Sequence, residues 1–409
     1  MKKYLILLFL LLFSQIGTSQ DNSRLSSIDF HGFISGMPSI FWMEDSSAWQ
    51  VLLHNRLNFD WYPSERISGS VQFRNQLIAG EFVEITPIEN GFNKENYFLP
   101  LTYQSKFSDQ YLLSLSIDRI WIQYTYNNLE VKLGRQRINW GQTFVWNPND
   151  LFNSYNFFDF DYVERPGADA IRVQYYTSFT SSIDLAAKID SSGKVTAGAL
   201  FHFSKWNTDF QILGGFFNQE KQLVFNLDTL NLTINQEDKD LVGGLGFSGA
   251  INNLSIRGEL SYFYSLLDNV DTKNLLLTSL VFDYAFPDQT SLMFEFFYNS
   301  NIQLPASSFL SFYGGTQNVK TLTFTKYNAF GQVSYPLNPI INTTLAGMYF
   351  FDKDLHGLFV GPSVDLSIGD NLSLAAFFQF FAFNYENPVT KKKEWSKSNF
   401  AFLRLKWNF

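Results

Sequence analysis

Apolar and polar side chains alternate residue by residue in short segments throughout this 409-residue chain. The last segment shows this most clearly: in residues 403–409 every second residue is apolar, and Arg404, Lys406 and Asn408 lie between them. Successive side chains of a β-strand point to opposite faces, so a period of two indicates strands with one apolar and one polar face. The chain is therefore predicted to be all-β.

The composition indicates what the apolar faces contact. Aromatic residues make up 18% of the chain and charged residues 17%. A soluble sandwich or propeller, which is the alternative, points its apolar faces inward and needs a more highly charged surface. A membrane β-barrel points apolar faces at lipid and polar faces at its lumen. After the N-terminus there is no run of about 20 apolar residues of the kind that helical spans require. We expect a transmembrane antiparallel up-and-down β-barrel.

The N-terminus predicts a secretory signal peptide. Residues 1–3 are positively charged, residues 4–13 are apolar, and small and polar residues follow up to Gln20. The apolar stretch is too short to span a bilayer comfortably, which favours a cleaved signal over an anchor. We predict a signal peptide at 1–20 and an outer-membrane β-barrel domain at 21–409.

The C-terminal strand resembles the barrel-assembly signal of bacterial outer-membrane proteins. It ends on an aromatic residue, Phe409, with Trp407 on the same face. The resemblance implies the barrel-assembly machinery as a partner and the outer membrane of a Gram-negative bacterium as the location. Outer-membrane lipid and lipopolysaccharide would then surround the barrel.

Short connections alternate with long ones. The short ones fall near residues 62–66, 127–128, 178–181, 206–208, 252–253, 286–289, 336–339 and 369–371. The long ones fall near residues 37–47, 81–113, 141–166, 219–238, 299–321 and 384–397, with lesser ones near 190–193, 266–273 and 351–356. Short periplasmic turns and long outer loops are typical of these barrels. The count is about eighteen strands, or sixteen, and either number leaves room for an aqueous lumen.

Arginines recur on the polar faces. The predicted pore-lining or constriction residues are Arg56, Arg74, Arg119, Arg135, Arg137, Arg172, Arg257 and Arg404. Carboxylates share these faces, among them Asp60, Asp184, Glu259 and Glu295. Two interpretations stay open. Unpaired arginines would attract anions and set selectivity, whereas arginines paired with the carboxylates would brace the wall.

The long connection at 141–166 is rich in aromatic residues, which are unlikely to lie free in water. We predict that it folds into the barrel and narrows it, with Trp140, Trp146 and Asp150 at the constriction. The alternative is a lid packed over neighbouring outer loops. Exposed aromatic rings would also suit stacking on a saccharide. Three carboxylates of this loop, Asp159, Asp161 and Glu164, form a weak candidate for calcium.

Residues 134–141 read GRQRINWG, and this G-R-Q-x-x-x-W-G pattern resembles one in porin-like outer-membrane families that include alginate-export-type barrels. Residues 146–152 and 164–170 are similar to the segments downstream of that motif in those families. The resemblance implies an eighteen-strand channel for a small or polymeric polar solute. Alginate-type exporters have a strongly basic lumen, whereas the lumen predicted here is mixed.

Residue patterns for catalysis and for histidine or cysteine metal sites are missing from the sequence. The four histidines share no metal-ligand spacing, there is no cysteine, and no nucleophile elbow or phosphate-binding loop occurs. The net charge of −8 argues against nucleic acid as a partner. We expect no enzyme activity, no cofactor and no metal. The leading function is an outer-membrane channel for diffusion of small polar or anionic solutes. The alternatives are an export pore for a polysaccharide or a surface-binding barrel with a blocked lumen.

Overall fold

The computed structural model describes residues 27–43, 46–85, 96–154, 157–158, 164–219, 223–226, 231–234, 237–268, 270, 273–302, 318–353, 355–386 and 393–409. The predicted signal peptide, residues 1–20, lies outside them. Apart from one short helix, α1 (Glu81–Ile85), the described elements are strands. No helix in these ranges is long and apolar enough to cross a membrane.

The strands follow one another around the sheet in chain order. Their bounds are β1 Ser27–Met43, β2 Ser46–Ser64, β3 Ile67–Gly80, β4 Thr102–Ser108, β5 Tyr111–Tyr126, β6 Leu129–Gln136, β7 Ala168–Ser178, β8 Ser181–Ile189, β9 Val195–Lys205, β10 Thr208–Gln219, β11 Leu223–Asn226, β12 Asn231–Ile234, β13 Asp238–Ile251, β14 Leu254–Ser265, β15 Asn274–Ala285, β16 Ser291–Asn299, β17 Tyr327–Asn338, β18 Ile341–Phe351, β19 His356–Ser367, β20 Leu372–Glu386 and β21 Lys393–Asn408. Strands β11 and β12 form a separate small hairpin between β10 and β13.

The main sheet closes because its first and last strands pair antiparallel, with Phe33 in register with Asn408. The backbone groups of Gly32 and Phe409 exchange two hydrogen bonds of 2.9 and 3.0 Å at this closure. All strands except β4, β11 and β12 form the closed ring of 18. The predicted all-β, up-and-down barrel of about eighteen strands is confirmed, and the alternative of sixteen is wrong.

The outer face carries the apolar residues that the alternation predicted. On the last strand Leu403, Leu405 and Trp407 are 45%, 47% and 45% exposed. Large exposed apolar side chains recur around the ring on the other strands, among them Ile120, Ile122, Leu133, Ile171, Leu245 and Phe294. Such a belt is stable only against lipid, so the barrel spans a membrane.

The start of β1 and the end of β21 lie at the end of the barrel with the short turns, because Ser27 pairs with Tyr62 next to the β2–β3 turn and Asn408 pairs with Phe33 of β1. The long connections lie at the opposite end. The predicted loop at 37–47 is wrong over most of its length, since β1 continues to Met43. Pro38 stays in the strand because its missing N–H interrupts the ladder only towards β21, where the pairing skips from Gly36 to Ser39.

Two other predicted loops were too long. The 81–113 region contains α1 and β4, and at 384–397 strand β20 continues to Glu386 and β21 begins at Lys393. Strands β4 and β6 pair with the same edge of β5. Strand β4 pairs with its half near the long connections, and β6 pairs with its half near the short turns. One position in the ring is therefore occupied by two strands at different heights.

Candidate functional site

The described residues of the connection between β6 and β7, which are 137–154, 157–158 and 164–167, lie inside the barrel, and we call them the inserted loop. The Nε1 of Trp140 donates to the Asp184 carboxylate on β8 at 3.0 Å. The indole of Trp146 stacks on Phe297 of β16, with 5.5 Å between ring centroids. The loop therefore contacts inner faces of the ring on two distant strands.

Glu259, on the inner face of β14, accepts hydrogen bonds from three backbone amides of the inserted loop. The amides of Thr143 and Asn149 each donate at 2.8 Å, and the amide of Gln142 also donates. The side chain of Asn149 donates to the carbonyl of Leu245 on β13 at 3.0 Å and accepts from Ser261 at 2.7 Å. This part of the loop is thus fixed to β13 and β14.

Glu295, on the inner face of β16, accepts from the next two loop amides. The amides of Val145 and Trp146 donate to its two carboxylate oxygens at 2.7 and 2.9 Å. Ser279 of β15 donates to the same carboxylate at 2.7 Å. The two glutamates are only 2% and 0% exposed, so their carboxylates are shielded from solvent.

Small residues on β9, β10 and β13 let the loop approach the wall closely. A Cβ at Gly198 would lie 3.0 Å from the Trp140 ring, and one at Gly244 would lie 2.7 Å from Oδ1 of Asn149. A Cβ at Gly246 would lie 3.0 Å from the Gln142 side chain. We call the inner faces of β8–β10 and β13–β17 the loop-bearing wall.

The described aromatic residues of the loop pack into the barrel interior. Phe144 and Phe157 contact Phe330 of β17, at 5.8 and 5.2 Å between ring centroids. Phe158 contacts Phe381 of β20 at 5.2 Å. These rings pack against inward-pointing phenylalanines; Phe158 is buried, whereas Phe144 and Phe157 are partly buried. Loop residues Tyr155, Phe160 and Tyr162 lie outside the described residues.

Asp150 is buried where the inserted loop turns back. Its carboxylate accepts from the amide of Asn153 at 3.3 Å. Burial raises the pKa of Asp150 to about 6, and the nearby charges of Arg165, Arg137 and Lys188 oppose the rise. Trp140, Trp146 and Asp150 thus lie together inside the barrel, and their role as a constriction stays a prediction.

Three of the predicted arginines lie side by side on β2, β3 and β5. Arg56 of β2 is in register with Arg74 of β3. Arg119 of β5 is in register with Gln72, which lies two residues before Arg74 on β3. Arg56 donates to Asp118 at 2.7 Å, and Nη1 of Arg119 lies 3.4 Å from the same carboxylate. Asp118 is an extra residue in the β3–β5 pairing. This bulge allows Asp118 and Arg119, which are adjacent in the chain, both to point inward.

The same face continues onto the strands at the closure of the barrel. Arg404 of β21 lies over Phe377 at 5.2 Å, and Lys406 lies over Phe33 at 3.9 Å from the ring centroid. We call the inner faces of β21, β1, β2, β3 and β5 the cationic wall. The returning end of the inserted loop reaches it where the carbonyl of Glu164 accepts from Arg119 at 3.1 Å.

Arg135 differs from the prediction that it lines the lumen. It is 0% exposed, and it occupies the place in the wall where the neighbour of β5 changes from β6 to β4. Its guanidinium donates to Asp169 at 2.8 Å and to the carbonyls of Ile117 and Leu99 at 3.1 and 2.6 Å. The side chain replaces missing backbone ladder bonds, so it closes a seam in the barrel wall.

The remaining arginines are also engaged. Arg172 pairs with Asp184 at 2.5 Å, and Arg257 pairs with Asp283 at 3.2 Å. Arg137 is the first residue of the inserted loop, and its charge acts on Asp150. Ion pairs that brace the wall, one of the two interpretations of the arginines, therefore occur at Arg56, Arg119, Arg135, Arg172 and Arg257.

A second internal segment, residues 318–326, was not recognised in the sequence. Lys320 donates to Asp238 and Asp240 of β13 at 2.6 and 2.7 Å. Phe324 stacks on Phe350 of β18 at 5.0 Å. The preceding stretch was predicted to be an outer loop, and no periodicity distinguishes these residues from it.

The candidate metal-binding groups among the described residues give no clear site. Asp159 and Asp161 of the calcium candidate lie outside those residues, and Glu164 has one carboxylate oxygen 4.0 Å from Arg56. Near the short-turn end, Asp29, His31 and Asp60 come within 4.8 Å of one another. Sequence spacing missed this group because Asp60 comes from the neighbouring strand. All three are solvent-accessible, and such groups are common without an ion.

Comparisons with known proteins support the fold. No protein-family model matches this sequence, and no curated protein matches it. OpdQ of Pseudomonas aeruginosa has a similar structure, with a TM-score of 0.55, 9% identity and coverage of 94% of this chain and 99% of that chain. OccK3 (OpdO) of the same organism has a TM-score of 0.55 and 10% identity, with coverage of 93% of this chain and 96% of that chain. OccAB1 of Acinetobacter baumannii has a TM-score of 0.53 and 9% identity, with coverage of 96% of this chain and 100% of that chain.

Identities this low establish similarity of fold alone. The barrels match over nearly the whole length of both chains, and the apolar outer belt is that of a membrane-spanning barrel. The protein is therefore an outer-membrane β-barrel with a porin-like fold.

Proposed function

We propose that the protein is a non-enzymatic outer-membrane channel for small polar or anionic solutes, narrowed by its inserted loop. The observation that carries this proposal is the division of the interior. The loop is bound to the loop-bearing wall, whereas Arg56, Arg74 and Arg119 lie on the cationic wall. Because Arg56, Arg74 and Arg119 are at most 8% exposed, a solute that passes the loop would meet this wall at the half-buried Arg404 and Lys406, with the buried arginines acting through their charge.

Charged side chains on a pore wall select ions by lowering the free energy of the opposite charge in the pore. The ion pairs of Arg56 and Arg119 with Asp118 reduce this effect, because part of the positive charge is neutralised locally. The half-buried Arg404 and Lys406 extend the positive surface towards the short-turn end. We therefore expect a modest preference for anions.

The test is single-channel conductance of the refolded protein in a planar bilayer, with a salt gradient to measure the reversal potential. Arg74→Gln should reduce the anion preference. Lys239→Gln, which removes the same charge from an exposed residue at the outer end of β13, is the matched control and should not. A folded wild-type barrel without conductance would contradict the channel.

A second candidate, a surface-binding barrel with a blocked lumen, is favoured by the two internal segments. The inserted loop and residues 318–326 both occupy the barrel interior. If the wild type does not conduct but deletion of residues 141–150 produces conductance, the blocked barrel is the better description. The polysaccharide export pore suggested by the alginate-export resemblance receives no support from this geometry, because a polymer needs a wide passage.

A further inference from the structure

We propose that Glu259 and Glu295 are positioning residues that hold the inserted loop in the barrel and thereby set the width of the channel. The inference rests on the proposed channel function and adds the groups that fix its constriction. Neither glutamate touches a solute in this proposal. They act through the loop.

The loop needs these carboxylates because it makes few backbone hydrogen bonds of its own. Between residues 141 and 154 the described backbone pairs are those of Asp150 with Asn147 and of Leu151 with Asn149. The amides at 142, 143, 145, 146 and 149 instead donate to the two glutamates. Buried amides without an acceptor are strongly unfavourable, so loss of the carboxylates should release the loop.

Each carboxylate uses both of its oxygens as acceptors. Oε1 of Glu259 accepts from Gln142 and Thr143, and its Oε2 accepts from Asn149. Among the described residues neither glutamate forms an ion pair, and the buried groups are compensated by hydrogen bonds from loop amides, from the Thr143 side chain and from Ser279. An ionised carboxylate only accepts, whereas a glutamine would place an NH₂ group against an amide N–H. Glutamine is therefore a nearly isosteric substitution that opposes the loop.

The two glutamates belong to one rigid part of the wall. Glu259 is in register with Ser279 of β15, and the hydroxyl of Ser279 donates to Glu295. The loop is thus held at two points of a continuous three-strand surface. Displacing it requires both sets of hydrogen bonds to break.

The first experiment compares Glu259→Gln and Glu295→Gln, singly and together, with Glu130→Gln. Glu130 lies on β6, where its carboxylate accepts from Gln123 at 3.4 Å and no contact with the described part of the loop is seen. Barrel folding is verified by circular dichroism and by the migration shift between heated and unheated samples. We expect higher single-channel conductance and larger current noise in the first two variants, most in the double variant, and no change in the control.

A thiol at position 145 reports loop position independently of conductance. Val145 is 4% exposed, only its backbone amide contacts Glu295, and the chain contains no cysteine, so Val145→Cys introduces a single buried thiol and keeps the amide. It should resist a water-soluble maleimide in the otherwise wild-type protein. It should react when Glu259→Gln and Glu295→Gln are added.

A disulfide provides the rescue and covers the case in which the variants fail to fold. A Cβ at 244 would lie 2.7 Å from Oδ1 of Asn149, compatible with the Cβ separation of about 3.5–4.5 Å that a disulfide needs. Gly244→Cys with Asn149→Cys, oxidised during refolding, should restore wild-type conductance in the double glutamine variant. Reduction after insertion should raise the conductance of the double glutamine variant again.

The outcomes separate this inference from the proposed function. Equal conductance, noise and labelling in the wild type and the glutamine variants would overturn the role of the glutamates while leaving a channel. A folded wild type without conductance would contradict the channel. In that case, a thiol at position 145 that remains unlabelled in the glutamine variants would also refute the positioning role.

Discussion

The loop-bearing wall and the cationic wall come from the same alternating pattern, yet they build different interiors. On the loop-bearing wall the inward positions include glycines and two buried glutamates, and the partner of the glutamates is loop backbone. On the cationic wall the inward positions are arginines, and the partner of Arg56 and Arg119 is the bulged Asp118. Period two decides which face a residue occupies, but residue size and hydrogen-bonding capacity decide whether that face binds the backbone of a loop or holds paired charged side chains.

The largest effect is expected at the seam between β4 and β6, which belongs to neither wall. Arg135→Ala removes one partner of a fully buried ion pair, leaves Asp169 without its counter-charge, and removes the guanidinium donor from the carbonyls of Ile117 and Leu99. We expect a loss of about 3–5 kcal/mol in the free energy of unfolding, measured by denaturant titration in lipid vesicles. Arg66→Ala, an exposed residue near Tyr126, is the control and should cost at most about 1 kcal/mol. Similar costs for both would show that the seam does not depend on Arg135.

The next effect tests whether the loop-bearing wall depends on its small residues. Gly244→Leu would place side-chain atoms against Asn149 and Leu213, and overpacking of this kind costs about 1–3 kcal/mol. Displacement of the loop should raise the conductance. Gly243→Leu is the matched control, because a Cβ at 243 would have no atom within 4 Å. If the two substitutions behave alike, close approach of the loop to β13 is not required.

The barrel could be predicted from the sequence because every strand that faces lipid must repeat the same two-residue period. The inward placement of the aromatic loop followed from the cost of exposing Phe144 and Trp146 to water. What the loop binds could not be predicted, since Glu259 and Glu295 are more than a hundred residues away and look like ordinary lumen carboxylates. The closeness of the loop to Gly244 is likewise visible only in three dimensions.

Arg135 shows a second limit of the alternating pattern. The preceding Gly134 has a positive φ of 118°, and Arg135 is in register with Ile120, whose side chain is exposed on the outer face. Counting residues from the lipid face therefore fails at the end of β6, where the backbone leaves the ladder. Strand β4 was missed for a related reason, because it pairs on one edge and most of its side chains are exposed.

A smaller effect is expected for the anchor of the loop on β8. Trp140→Phe removes the hydrogen bond to Asp184 but keeps an aromatic ring against Phe152. Asp184 retains Arg172 as a donor, so the loss should be about 1 kcal/mol. Trp206→Phe, at an exposed turn, is the control and should leave the denaturation midpoint unchanged. A loss several times larger at Trp140 would mean that the whole loop detaches with this single bond.

The smallest effect on stability, and the sharpest test of the cationic wall, is expected at Arg404. Its guanidinium is half-buried over Phe377, a contact worth about 0.5–1 kcal/mol at such a site. Arg404→Gln should therefore change the unfolding free energy little, yet it removes a positive charge that a passing solute can approach. The reversal potential should shift towards weaker anion preference, whereas Arg66→Gln in an exposed turn should not shift it. An unchanged reversal potential would mean that the arginines of this wall brace the barrel and do not select its solute.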